Sequence, residues 1–207
     1  MRHRLALLAL FCGSAAAQTL TDEASLTVVL EGEHVPAPIL SAMRREAQAA
    51  VEPSGVHLNW RSQDLPGGEV AGPVAIIQMR GQCRSAAPVR TTAPGGEGEP
   101  LGQTHMVDGK VLPFADLLCD AVHRLVDRDL RGVRSGQREE LLGRALGRVL
   151  AHELYHILAR TTDHGSHGLS RSEQSSAELL APGNSFAESD EHRLSESIGT
   201  DFGAAGR

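Results

Sequence analysis

Of the 20 basic side chains in this 207-residue chain only Lys110 is a lysine, and 26 carboxylates outnumber them, for a formal net charge of −6. No basic block breaks the sequence. A protein that wraps nucleic acid needs clustered positive charge to neutralise phosphates, so nucleic-acid binding is not expected. No apolar run approaches the length needed to cross a bilayer. No internal repeat is present, and no Ser or Cys sits in a nucleophile-elbow pattern, which argues against a serine or cysteine hydrolase. What remains, 41% apolar and 22% charged, is the make-up of one soluble domain of ordinary size.

The one compact apolar run, Leu5 to Cys12, follows Arg2 and Arg4 and leads into Gly13-Ser14-Ala15-Ala16-Ala17. Charge, apolar stretch and small residues in that order predict a cleavable secretory signal over 1–17, cut after Ala17. Phe11 stands where a lipoprotein signal wants a small residue ahead of Cys12, so lipid anchoring is not expected. Cleavage leaves 18 basic against 26 acidic groups, a net −8, and no further segment suited to membrane insertion. The expected location is periplasmic or extracellular. Two cysteines then remain, Cys83 and Cys119, and an oxidising compartment favours pairing them, a cross-link contributing about 3–4 kcal/mol by the chain-entropy estimate. Two free buried thiols are the alternative.

Leu26 to Leu30 is apolar and β-branched enough for a strand, and Pro36-Ala37-Pro38 opens a helix whose apolar positions Ile39, Met43, Ala47 and Val51 run until Pro53. Val56, Leu58 and Trp60 alternate with His57, Asn59 and Arg61, as a strand with one covered face requires. Val74 to Met79 reads as a buried central strand. The connection between the first two strands is long enough for a right-handed parallel crossover. Residues 84–100, rich in Pro, Gly and Thr, read as a long surface loop. Asp108-Gly109 between Leu101–Val107 and Lys110–Phe114 is a strong hairpin signal. Helical spacing begins near Asp116, with a strand running on to Cys119 as the alternative, and a second, long helix from about Gln137 to Ala159 is apolar on more than one side, as a helix buried through the core would be. A last helix is expected from near Ser170. From Pro182 to Arg207 the composition turns to Gly, Ser, Asp and Glu, the signature of a disordered acidic tail.

The long helix carries His152-Glu153-Leu154-Tyr155-His156, an HExxH pattern. At 100° per residue the two histidines lie about 40° apart, one turn above each other, which suits two corners of a tetrahedral zinc site. Glu153 projects about 100° away from His152, off the metal but within reach of a water beside it. Zinc would bring the pKa of that water toward about 7, and Glu153 would take its proton for attack on a polarised carbonyl. Tyr155, the only tyrosine, is more often a packing residue at such a place than an oxyanion donor.

A catalytic zinc needs a third protein ligand and an open fourth position. His164 is the first candidate, and His167, Glu173, Glu178 and Asp163 are the alternatives. Had the helix continued, His164 would lie about 12 Å along the axis from His156, so the chain must turn back, and Thr161-Thr162 followed by Gly165 is a suitable place. Asp163 and Thr162 could instead orient an imidazole.

With this element order leading into an HExxH helix and a histidine beyond it, the chain resembles the zincin metallopeptidases, with metzincin-like organisation. It departs from them where metzincins place the third histidine six residues after the second. That position is Thr162, their turning glycine is replaced by Ala159, and all four methionines lie upstream, so no Met-turn follows. The resemblance implies an α/β (α+β) fold in which a mixed twisted sheet packs on the active-site helix. It further implies one Zn2+ per chain held by His152, His156 and His164, with Glu153 as general base and a peptide or protein substrate. A thermolysin-like arrangement would use Glu173 or Glu178 instead. The hairpin strand Leu101–Val107 is a candidate edge for pairing an extended peptide, or an ordinary sheet edge. The rival expectation is a non-catalytic exported module that binds metal through the same histidines.

Overall fold

The computed structural model describes residues 24–32, 34–62, 72–85 and 98–201. The expected signal segment and most of the 84–100 loop lie outside the described residues. A five-stranded mixed sheet forms one layer, from β1 (Ala24–Gly32), β2 (Val56–Ser62), β3 (Val74–Arg80), β4 (Gly102–Val107) and β5 (Lys110–Leu118), in the order β2-β1-β3-β5-β4. β1 pairs in parallel with both β2 and β3, β3 pairs in parallel with β5, and β4 runs antiparallel to β5 at the edge. The β1–β2 crossover is α1 (Ala37–Val51). Asp108 and Gly109, both at positive φ, make the two-residue turn of the β4–β5 hairpin, the conformation that Asp-Gly reaches with little strain.

One sheet face is covered. Leu26 and Val28 of β1, Ala75, Ile77 and Met79 of β3, and Ala115 and Leu117 of β5 are all buried, the two-residue period of a strand with one side in the core. Against them lie α1, α2 (Cys119–Leu130) and α3 (Ser135–Ala159). α3 is 25 residues long and buried on several sides through Leu142, Leu146, Leu150, Leu154 and Leu158. It also buries Arg148, which is only 3% exposed. That guanidinium donates to the carbonyls of Glu178 and Leu179 at 2.9 Å each and lies 3.4 Å from the Glu46 carboxylate, which offsets the cost of burying its charge. Among the described residues no helix is long and apolar enough to cross a membrane.

Cys83 and Cys119 are joined, 36 residues apart in sequence. The bond ties the end of β3 to the first turn of α2, and so brackets the excursion that contains β4 and β5.

One boundary is decided between two expectations and two others differ from them. β5 continues to Leu118, held in register with Arg80 of β3, so α2 begins at Cys119, the later of the two starts; pairing with a central strand overrides the helical spacing from Asp116. The helix expected from Ser170 is instead α4 (Ser176–Leu180), only five residues, with Glu173 in the loop before it. Its start is set by a capping box in which the Ser175 hydroxyl accepts from the Glu178 N–H and the Glu178 carboxylate accepts from the Ser175 N–H. The ordered domain also does not stop at residue 181. Helix α5 (Glu188–Asp201) follows, and Phe186 and Leu194 are 4% and 0% exposed in the core. Two large apolar side chains and the buried carboxylate of Asp190 suffice to seat a segment whose composition reads as solvated. Residues 202–207 lie outside the described residues.

Candidate metal centre

α3 delivers two imidazoles, and its termination delivers the third. Arg160 adopts a left-handed conformation at φ 47 and ψ 41, which ends the helix and turns the chain back. The N–H of Thr161 then donates to the carbonyl of His156 at 3.2 Å. The reversal falls one residue earlier than the Thr161-Thr162 pair suggested, and it brings His164 back over the helix. One nitrogen each of His152, His156 and His164 lies within 4.8 Å of the others, a grouping that could hold a metal ion. The His164 ring is 5.2 Å from that of His152 and 4.8 Å from that of His156, centroid to centroid.

The hydrogen bonds of the first two rings define which nitrogens face the centre. Nδ1 of His152 lies 2.7 Å from the Leu169 carbonyl and Nδ1 of His156 lies 2.8 Å from the Thr161 carbonyl. A carbonyl can only accept, so each Nδ1 carries the proton and each neutral ring presents a bare Nε2. Those two Nε2 atoms are 3.0 Å apart. Two lone pairs at that distance repel one another, and a shared cation would relieve the repulsion. The orienting groups are thus backbone carbonyls, rather than the side chains of Asp163 or Thr162. Burial disfavours the charged form of both rings: it pushes His152 down to about 4 and lowers His156 as well, with neighbouring imidazoles adding to each effect and the carbonyl bonds opposing it.

Glu153 is 4% exposed, wedged between α3 and the edge strand. Its Oε2 accepts from the Thr104 hydroxyl at 2.6 Å. Burial raises its carboxyl to about 7, with the Thr104 bonds opposing part of that rise. Gly102 makes the close approach possible: a Cβ there would sit 2.5 Å from Glu153 Oε1. Neither Gly102 nor Thr104 was singled out from the sequence, since they lie about fifty residues upstream and meet Glu153 only because β4 is the outermost strand.

The three histidines and Glu153 open onto a cleft of about 900 Å³ between β4 and the 161–178 segment. Leu101, Ala121, Leu125 and Val149 give it an apolar wall, and its rims carry the Arg124–Glu99 and Arg171–Glu178 ion pairs. His164 is exposed on the cleft side, whereas His156 is only 6% exposed.

The remaining candidates stand apart from the cluster. His167 is exposed and its Nδ1 shares a hydrogen bond with the Ser166 hydroxyl at 2.7 Å. Glu178 is occupied by the capping box and by Arg171, and Glu173 is an exposed residue of the cleft lining. Tyr155 is a packing residue, 1% exposed, stacked on Phe186 at 5.5 Å and donating to Asp190 at 3.3 Å. No protein-family model, curated protein or solved structure matches the chain.

Proposed function

We propose that this protein is an exported zinc-dependent hydrolase, a zincin-type peptidase, with His152, His156 and His164 as ligands and Glu153 as general base. The observation that carries the reading is the pair of bare Nε2 atoms 3.0 Å apart, beside a third imidazole and a buried carboxyl. Three imidazoles suit zinc among the divalent ions and leave a fourth position open. A zinc ion bound there supplies a Lewis acid that polarises a carbonyl and acidifies a water.

The chain's own residues do the rest. Burial raises the Glu153 carboxyl to about 7 in the metal-free protein, and a bound cation would bring it back toward the carboxylate, the form that takes a proton from water and returns it to a leaving amine. Thr104 fixes its orientation from the strand side. β4 is the last strand of the sheet, so its outer edge can take an extended peptide by backbone pairing. That would lay a scissile carbonyl beside Gly102 and Thr104, next to Glu153. The apolar wall then receives a substrate side chain.

The deciding experiment is metal analysis of the purified, disulfide-bonded protein together with turnover of an unstructured protein substrate by wild type and Glu153→Gln. About one zinc per chain, with turnover lost and zinc kept in the variant, is expected. Sub-stoichiometric metal overturns the reading. Undiminished turnover in the variant overturns the role of Glu153, and a metal-replete wild type without turnover leaves the metal-binding module.

A further inference from the structure

α5 carries a buried carboxylate that the chemistry above does not use. Asp190 is 5% exposed, and a carboxylate withdrawn from water is costly unless its oxygens are hydrogen-bonded. Here Oδ2 accepts from the Ser170 hydroxyl at 2.5 Å and Oδ1 from the Tyr155 hydroxyl at 3.3 Å. An ionised carboxylate is acceptor-only, so both hydroxyls are turned toward it. Tyr155 belongs to the metal helix, between Leu154 and His156. Ser170 closes the loop that follows. One side chain of the last helix therefore ties the helix bearing two histidines to the loop bearing the third.

What Ser170 holds in turn is the backbone around His164. The Ser170 carbonyl accepts from the Gly165 N–H at 3.0 Å, next to the histidine. The fit at Gly165 is close: a Cβ there would run into the Ser170 hydroxyl and lie 3.0 Å from Asp190 Oδ2. The residue before Ser170 supplies the carbonyl that orients His152, and the N–H of that same Leu169 is held by Ser185 at 3.0 Å on the approach to α5. His164 is exposed and its ring meets only the other two imidazoles among the ring contacts of the described residues, so its place depends strongly on this backbone.

We propose that Asp190 is the positioning residue of the metal centre: through Ser170 it seats the loop that presents His164 and the Leu169 carbonyl that sets His152. The proposal rests on reading the three histidines as metal ligands. Groups that orient ligands commonly cost about 10–100-fold in metal affinity when removed.

The test uses Co2+ as probe, titrated against a competing chelator into the metal-free, disulfide-bonded protein. Wild type, Asp190→Ala, Asp190→Asn, Ser170→Ala, His164→Ala and the Asp190→Ala/His164→Ala double variant are compared, each shown folded by circular dichroism. Asp190→Ala is expected to weaken Co2+ binding about 10–100-fold and to shift its visible absorption toward that of His164→Ala. Asp190→Asn, which keeps an acceptor oxygen, should recover most of the loss. In the His164→Ala background the Asp190→Ala effect should shrink to what passes through Leu169 and His152, because the share that acts through His164 is already lost. If Asp190→Ala does not fold, Ser170→Ala removes only the loop side of the contact and should show the same spectral shift. Wild-type affinity and spectrum in the Asp190 or Ser170 variant, or losses that add in full with His164→Ala, overturn the proposal and leave the metal reading standing. A wild type that takes up no Co2+ overturns both.

Discussion

Substituting Glu153 by glutamine should stabilise the metal-free protein, and should do so only above a defined pH. Burial raises the Glu153 carboxyl from 4.5 to about 7. Between those values the folded chain keeps the proton while the unfolded chain has released it. The folded state then binds more protons, so wild-type stability falls as pH rises through that window and levels off above it. At 1.36 kcal/mol per unit the window is worth about 3 kcal/mol. Glutamine has no charge to bury, and its amide oxygen can still accept from Thr104. The depressed His152, at about 4, acts the other way, removing stability as pH falls from 6.5 toward 4, but it does so in both chains and drops out of the difference. Urea unfolding of chelator-treated protein in steps from pH 4.5 to about pH 8 should therefore show a gap in favour of Glu153→Gln that opens through the window and reaches about 3 kcal/mol. Saturation with metal should narrow it, since a nearby cation favours the carboxylate. A gap that does not change with pH would mean an ordinary carboxyl, and the argument that Glu153 is buried at a cost would fail.

Four further outcomes are expected. His164→Ala should lower metal affinity by more than about 100-fold, beyond the loss typical of an orienting group, while His167→Ala and Glu173→Gln leave it unchanged in a chelator competition. Gly102→Ala places a methyl 2.5 Å from Glu153 Oε1 and should cut kcat about 100-fold with zinc content intact, read from turnover and metal analysis of one preparation. Replacing both Cys83 and Cys119 by serine removes the constraint on a 36-residue separation and should cost about 3–4 kcal/mol in urea unfolding, with no further effect of reductant. Leu194→Ala empties a fully buried site on α5 and should cost about 2–5 kcal/mol; a loss near zero would show that α5 is not part of the cooperative fold.

Local pattern made much of this legible. The alternation of Val56 and Leu58 with His57 and Asn59 gave β2, Asp108-Gly109 gave the hairpin, and the spacing of His152 and His156 gave the face that two imidazoles share. Each depends only on residues a few positions apart. The contacts that complete the site do not. Thr104 reaches Glu153 through the sheet order, which puts β4 outside β5 and against the end of α3. The turn at Arg160 depends on a non-glycine residue accepting a left-handed conformation, for which the sequence has no marker. The α5 segment reads as solvated because amphipathic pattern is judged by apolar side chains. Its seating uses one leucine, the preceding Phe186, and a carboxylate whose partners, Ser170 and Tyr155, are 20 and 35 positions away. A polar residue that is buried to make hydrogen bonds looks in sequence like any other polar residue.

The choice between a hydrolase and a metal-binding module turns on the same carboxyl. Two imidazoles with their Nδ1 protons on carbonyls, and a third imidazole beside them, already make a preorganised donor set, and a module that only captures metal needs nothing more from α3. At position 153 such a module would be better served by leucine, which would fill the space under β4 without the roughly 3 kcal/mol that an ionised carboxylate costs there above neutral pH. Gly102, too, would have no reason to lack a side chain. A strand glycine weakens its strand, and the nearest atoms a side chain here would meet are those of Glu153. Two residues from distant parts of the chain thus each give up stability to place one acid beside the histidines, on the wall of the cleft and under the outermost strand of the sheet. That arrangement is intelligible if the acid handles a proton during turnover and is a liability if it does not.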